Sequence, residues 1–179
     1  MLTVTDSVLL VIDVQEKLFR VMYQKEQLDD NLQRLIKGIK VLEIPVLVTE
    51  QYPQGLGPTI PEIAQLLAGV KPYPKVNFSC CGDEAFLQAF KRLGRKQALI
   101  AGIESHVCVY QTAADLIAAG YEVYVVGDAV SSRTEQNRDT GLKMMIQLDA
   151  KLTSTEAALF ELLKVAKGDK FKAISQIVR

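Results

Sequence analysis

The chain has no tryptophan, one histidine (His106), three cysteines and no net charge, with 21 basic residues balancing 21 acidic ones. Each scarcity excludes something. A balanced, interspersed charge offers no basic surface for a phosphate backbone or an anionic membrane, so neither nucleic acid nor membrane is expected as a partner. No apolar run approaches the roughly 18 residues that a membrane span requires, and the opening MLTVTDSVLLVID has no basic n-region or small-residue cleavage site, which points to a cytoplasmic location. Three cysteines, two of them adjacent at Cys80 and Cys81, do not build a disulfide framework, and a reducing compartment leaves them as thiols. With one histidine and no clustered thiols a zinc or iron site is hard to assemble, so no metal and no cofactor are expected.

What the chain does have is apolar substance: 49% of its 179 residues are hydrophobic, enough for one sizeable core, and no linker or repeat divides residues 1–179. Short β-branched runs alternate with segments of helical period. The runs are Val8 to Asp13, Pro45 to Glu50, a weaker one near Tyr73 to Val76, Ala98 to Gly102, Glu122 to Asp128 and Lys151 to Thr153. Between them Leu28, Leu32, Leu35, Ile36 and Ile39 recur at helical spacing, as do Phe86, Ala89, Phe90 and Leu93, and then Thr112, Ala113, Leu116 and Ile117. Leu93-Gly94 and Ala119-Gly120 read as helix stops, and Thr134 or Thr155 as starts of the late helices. This pattern predicts an α/β fold, a three-layer α/β/α arrangement around a doubly wound, mostly parallel six-stranded sheet. Ligands of such a fold sit at the carboxyl ends of strands near the topological switch point.

Three reactive side chains fall at such ends: Asp13 after VLLVI, Lys75 in PYPKVNF, and Cys108 six residues past the strand ending at Gly102. Asp13 taken alone reads as a turn or cap residue. A phosphoryl-transfer nucleophile would want a second Asp two residues on, where Gln15 stands. Lys75 sits among Pro72, Tyr73, Pro74, Val76 and Phe78, an apolar setting in which an ammonium needs a carboxylate such as Asp13. In GIESHVCVYQTAADLIAAG, Ser105 is placed to cap a helix whose first turn holds Cys108, and the helix dipole with Lys75 would then favour thiolate at neutral pH. A Cys108-His106 dyad is disfavoured, since residues i and i+2 do not share a helix face. Cys80 and Cys81 read as packing residues rather than a redox centre, and Arg133 as a structural partner of Asp128 or a helix cap before a carboxylate clamp. The apolar stripe of TSTEAALFELL suits packing on the sheet or on a sister subunit.

Four segments in order, VLLVIDVQEKLF, VTEQYPQGLGPTIPEI, KVNFSC and AGIESHVCVYQTAADLIAAGYEVYVVGDAVSSR, resemble the isochorismatase-like cysteine hydrolases over nearly the whole chain, closest to the subgroup of isochorismatase domain-containing proteins. The resemblance implies that Asp13, Lys75 and Cys108 form a catalytic trio: Asp13 accepts and returns the thiol proton, Cys108 forms a thioester with a carbonyl carbon, and Lys75 holds both in register. It implies a cis peptide at Ile103-Glu104 and an oxyanion hole from the backbone N–H groups of Glu104 and Cys108, with about 3 kcal/mol per donor. Phe19, Gln51, Phe78 and His106 become candidate walls of a small substrate pocket. Nicotinamidase relatives carry metal ligands where this chain reads Thr49-Glu50-Gln51-Tyr52, and vinyl-ether-cleaving isochorismatases lack the cysteine. The implied activity is therefore metal-independent hydrolysis of a small amide-type C–N bond by a homo-oligomer. A redox-sensing thiol protein and a non-catalytic binding or scaffold protein on the same fold are the alternatives.

Overall fold

The computed structural model describes residues 1–179. In chain order the elements are β1 (Ser7–Ile12), α1 (Glu16–Phe19), α2 (Lys25–Val41), β2 (Val46–Gln51), α3 (Pro53–Leu56), α4 (Pro61–Leu66), β3 (Tyr73–Lys75), α5 (Glu84–Arg92), β4 (Gln97–Ile103), α6 (Tyr110–Ala118), β5 (Glu122–Ser131), α7 (Glu135–Gln147), β6 (Lys151–Thr153), α8 (Thr155–Leu163) and α9 (Asp169–Ile177). A 3-10 turn, Cys80–Gly82, precedes α5, and a π-helical turn, Ser105–Val109, leads into α6.

All six strands are parallel, in the order β3-β2-β1-β4-β5-β6. Every residue of β1 and β4 is buried, because a parallel sheet is covered on both faces and its central strands cannot alternate apolar with polar. Leu9 and Val11 face a core shared with Leu32, Leu35 and Ile36 of α2 and with Leu159 of α8. Val8, Leu10 and Ile12 face a second core with Phe86 and Phe90 of α5, Leu116 of α6 and Met145 of α7. The chain winds outward from β1 through β2 to β3, then returns to lay β4 on the other side of β1. The carboxyl ends of β1 and β4 are therefore the switch point.

Most boundaries agree with the sequence reading, and the departures have local causes. The register of β4 against β5 shifts between Ile100 and Gly102, which lets β5 run on to Ser131 rather than stop at Asp128. Thr134 caps α7 by accepting from Asn137 N, but the cap of α8 is Ser154, one residue before the expected Thr155. Thr155 instead donates its backbone N–H and its hydroxyl to Asp128 Oδ1, at 2.8 and 3.0 Å. Gly94 and Gly120, each at positive φ, end α5 and α6 where expected.

Candidate active site

Asp13 follows the last residue of β1 and is left-handed, at φ +53°, a conformation that costs any residue with a Cβ and that turns the chain off the sheet. Lys75 ends β3 and Cys108 lies in the π-helical turn after β4. The fold brings all three to the same end of the sheet. Lys75 Nζ is 2.7 Å from Asp13 Oδ2, and both side chains are wholly buried. The ammonium also donates to Gln51 Oε1 at 2.6 Å, to Asn77 O at 3.1 Å and to Phe78 O at 3.0 Å. An ammonium has three protons, and these three acceptors use them. Asp13 is a fourth, charged contact of the same ammonium, and Oδ2 has no other donor than the groups of the trio. The other carboxylate oxygen, Oδ1, accepts from Thr49 Oγ1 at 2.7 Å.

Cys108 is 7% exposed. Burial, then the Asp13 charge and contact with that carboxylate, push its thiol up to about 12, against the opposing pull of Lys75. This corrects the expectation of a thiolate at neutral pH: desolvation of the anion outweighs the cation. The helix-start argument also fails in detail, because Ser105 caps nothing and donates its hydroxyl to Ser131 O at 2.9 Å. Burial pulls the Lys75 ammonium down, yet the negative groups around it, Asp13 foremost, hold it above its ordinary value. It stays charged.

The turn that carries Cys108 is packed closely on two sides. The Ile103-Glu104 peptide is cis. Gly102, at φ +117°, lies so close to β1 that a Cβ would stand 2.1 Å from Ile12 O. Gly141 of α7 packs directly on the turn, where a Cβ would meet the Ser105 carbonyl carbon at 2.5 Å. Sequence reasoning missed Gly141, though a glycine inside a helical period costs about 1 kcal/mol and asks for a packing reason.

The four expected pocket residues are scattered in role. Gln51 reaches the site, but its amide is engaged: Oε1 receives Lys75, and Nε2 donates to Val76 O at 2.9 Å. Its backbone is clamped by buried Gln15, which accepts from Gln51 N and donates to Gln51 O and Gly57 O. Phe19 is half-buried against the α2 core. Phe78 is 54% exposed, and its carbonyl accepts from Lys75. His106 Nδ1 sits 3.0 Å from Ser132 Oγ. A cavity of about 270 Å³ lined by Tyr52, Pro74 and Val76 touches Lys75 but neither Asp13 nor Cys108, and none of the four lines it. Arg133 pairs with neither Asp128 nor a helix cap. Its backbone N–H and its Nε both donate to Glu104 Oε2, the latter at 3.0 Å.

Residues 7–157 match the isochorismatase domain. The chain belongs to that family. Among isochorismatase relatives, it is 39% identical over 178 residues to isochorismatase domain-containing protein 2 of Danio rerio, covering 99% of this chain and 89% of that one. Its fold matches the MAR1 ribonuclease of Caenorhabditis elegans with TM-score 0.93 at 37% identity, over 99% of this chain and 91% of that one. Two YcaC proteins match equally well, also at TM-score 0.93. That of Pseudomonas aeruginosa, solved with a covalent acrylamide, is 25% identical over 99% of this chain and 89% of its own. That of Escherichia coli, an octameric hydrolase of unknown specificity, is 26% identical over 98% and 88%. Membership carries hydrolase chemistry as the family's activity. No helix of the chain is long and apolar enough to cross a membrane.

Proposed function

We propose that this isochorismatase-family chain is a cysteine hydrolase of a small amide-type substrate, working through a thioester on Cys108. The observation that carries the reading is the buried Asp13 carboxylate, its Oδ2 charge-paired with Lys75 and held by no residue outside the trio, beside a thiol kept neutral by burial and by that same carboxylate. A thiol near 12 is no nucleophile at rest. It becomes one as it passes its proton to Asp13 while the sulfur closes on the carbonyl carbon.

The negative charge then moves from Asp13 to the carbonyl oxygen, and Lys75 stays charged beside the site throughout. Backbone N–H groups of Glu104 and Cys108 receive the oxyanion. Collapse of the tetrahedral adduct breaks the C–N bond, and protonated Asp13 returns its proton to the leaving nitrogen. Water then attacks the thioester carbonyl, giving its proton to Asp13, which hands it back to the Cys108 sulfur as acid product leaves. The covalent acrylamide on the Pseudomonas YcaC supports a reactive nucleophile on this fold.

Three free thiols suit a reducing cytoplasm. Exposed Ile146, Leu148 and Leu152 around the open edge of β6, with the octameric YcaC as precedent, support a homo-oligomer. The test is intact-mass spectrometry of wild type and Cys108→Ala after incubation with small amides, carbamoyl compounds and activated esters. An acyl adduct on the wild type alone is the expected result. Absence of adduct and of turnover across the panel overturns the reading.

A further inference from the structure

The second oxygen of Asp13 leads to a residue that the catalytic scheme does not use. Thr49 is 1% exposed, lies in β2 and pairs in register with Ile12. It holds Asp13 twice: its carbonyl accepts from Asp13 N at 3.1 Å, and its hydroxyl donates to Oδ1 at 2.7 Å. A carboxylate only accepts, so the single Thr49 proton is committed to Oδ1. Behind it, Cys80 Sγ lies 3.7 Å from Thr49 Oγ1, and Cys80 N donates to Thr112 Oγ1 at 3.0 Å. Burial, followed by the Asp13 charge, pushes the Cys80 thiol up to about 12, so it keeps its proton and remains a donor to Thr49. Direction is thereby fixed along the row from Cys80 through Thr49 to Asp13.

We propose that Thr49, backed by Cys80, is a positioning residue that commits Oδ1 of Asp13 and leaves Oδ2 as the one oxygen able to take the Cys108 proton. The inference rests on the hydrolase reading. Without the Thr49 donor, the carboxylate could turn about its χ2 bond, and its free lone pair would face Cys108 for only part of the time. The same hydrogen bond satisfies the one fully buried polar side chain of β2, Thr49, which follows the apolar Val46–Val48.

The probe is 4-nitrophenyl acetate, with acetyl transfer to Cys108 followed by intact mass and by nitrophenolate release. Thr49→Val keeps the shape and removes the donor. Its maximal acylation rate is expected to fall about 10- to 100-fold, as for loss of a hydrogen bond to a charged group, with the half-saturating ester concentration unchanged. Thr49→Ser restores the hydroxyl and is expected to acylate within about threefold of wild type. Rates are normalised to the folded fraction from circular dichroism, so a purely structural role would leave them equal. Should Thr49→Val not fold, Cys80→Ala removes the backing donor alone and is expected to slow acylation about threefold. A wild-type rate in Thr49→Val, or in Cys80→Ala where the Val variant does not fold, overturns the inference and leaves the hydrolase reading standing. A wild type that takes no acetyl group on Cys108 overturns both.

Discussion

Two ion pairs of nearly equal length show how little a distance says by itself. Lys75 and Asp13 are 2.7 Å apart with both side chains fully buried, whereas Lys170 and Glu43 are 2.8 Å apart with side chains 52% and 81% exposed. In the first, each charge has lost its water and depends on the other and on a ring of fixed acceptors. In the second, solvent competes with the partner at every moment. The buried pair therefore constrains the chemistry of its surroundings, up to the protonation of Cys108, and the exposed pair constrains almost nothing.

The strongest way to break the buried pair is to neutralise one side. Asp13→Asn removes the base, and hydrolysis is expected to fall about 10²- to 10⁴-fold. The same change should act on Cys108 in the opposite direction. Asp13 is what raises the thiol after burial, and Lys75 is what lowers it, so loss of the carboxylate leaves an ammonium free to stabilise a thiolate. Alkylation of Cys108 by iodoacetamide at pH 8 should accelerate in the variant while turnover collapses. A variant in which alkylation and turnover fall together would show that Asp13 works by holding the site together and not as a base. Lys75→Met tests the other half: it leaves a buried carboxylate without its counter-charge and is expected to cost about 3–5 kcal/mol of stability by chemical denaturation.

The contrast also separates what the sequence made legible from what it hid. The apolar periods were strongest for the central strands, since a strand covered on both faces has to be apolar throughout, as VLLVI is, whereas the short edge strands β3 and β6 are partly exposed and carry the weaker signal. The end of β1 was legible for the same reason, though that of β5 was not, and the order of strands allowed Asp13, Lys75 and Cys108 to converge, to which the family resemblance added roles. Orientation and desolvation were not. Nothing in the string VTEQ says that Thr49 turns its hydroxyl to Asp13 while Gln51 turns its amide to Lys75, because both contacts join residues far apart in the chain. Nor does a helix N-terminus reveal how dry the thiol will be, and dryness decided its protonation.

A smaller effect sharpens the comparison through pH. The Cys80, Cys81 and Cys108 thiols are pushed from an ordinary 9.0 to about 12, 11 and 12, each chiefly by burial. In the unfolded chain they ionise near 9, whereas the folded chain keeps its protons longer. Stability is therefore full below pH 9 and is lost as pH rises toward 11 and 12. The melting temperature should decline above pH 9, and Cys80→Ala should flatten that decline relative to its own value at pH 7. The iodoacetamide rate at Cys108 should likewise keep climbing beyond pH 9. A plateau below pH 8 would mean a resting thiolate and would overturn the neutral-thiol account.

The smallest effect belongs to the exposed pair. Lys170 holds Glu43 below its ordinary value, first through their hydrogen bond and then through charge, a shift that would add stability above the ordinary carboxylate range and lose it in acid. Water and salt screen that gain at so exposed a carboxylate. Lys170→Met should therefore leave the melting temperature unresolved from wild type at neutral pH, in low salt and in 1 M salt alike. The buried pair, closed to ions, should be equally indifferent to salt for the opposite reason: its coupling is intact, not screened. Lys75→Met should thus lose the same stability at both salt concentrations. If the Lys75→Met loss shrank markedly in 1 M salt, ions would be reaching Asp13, and the two pairs would differ in degree of screening and not in kind.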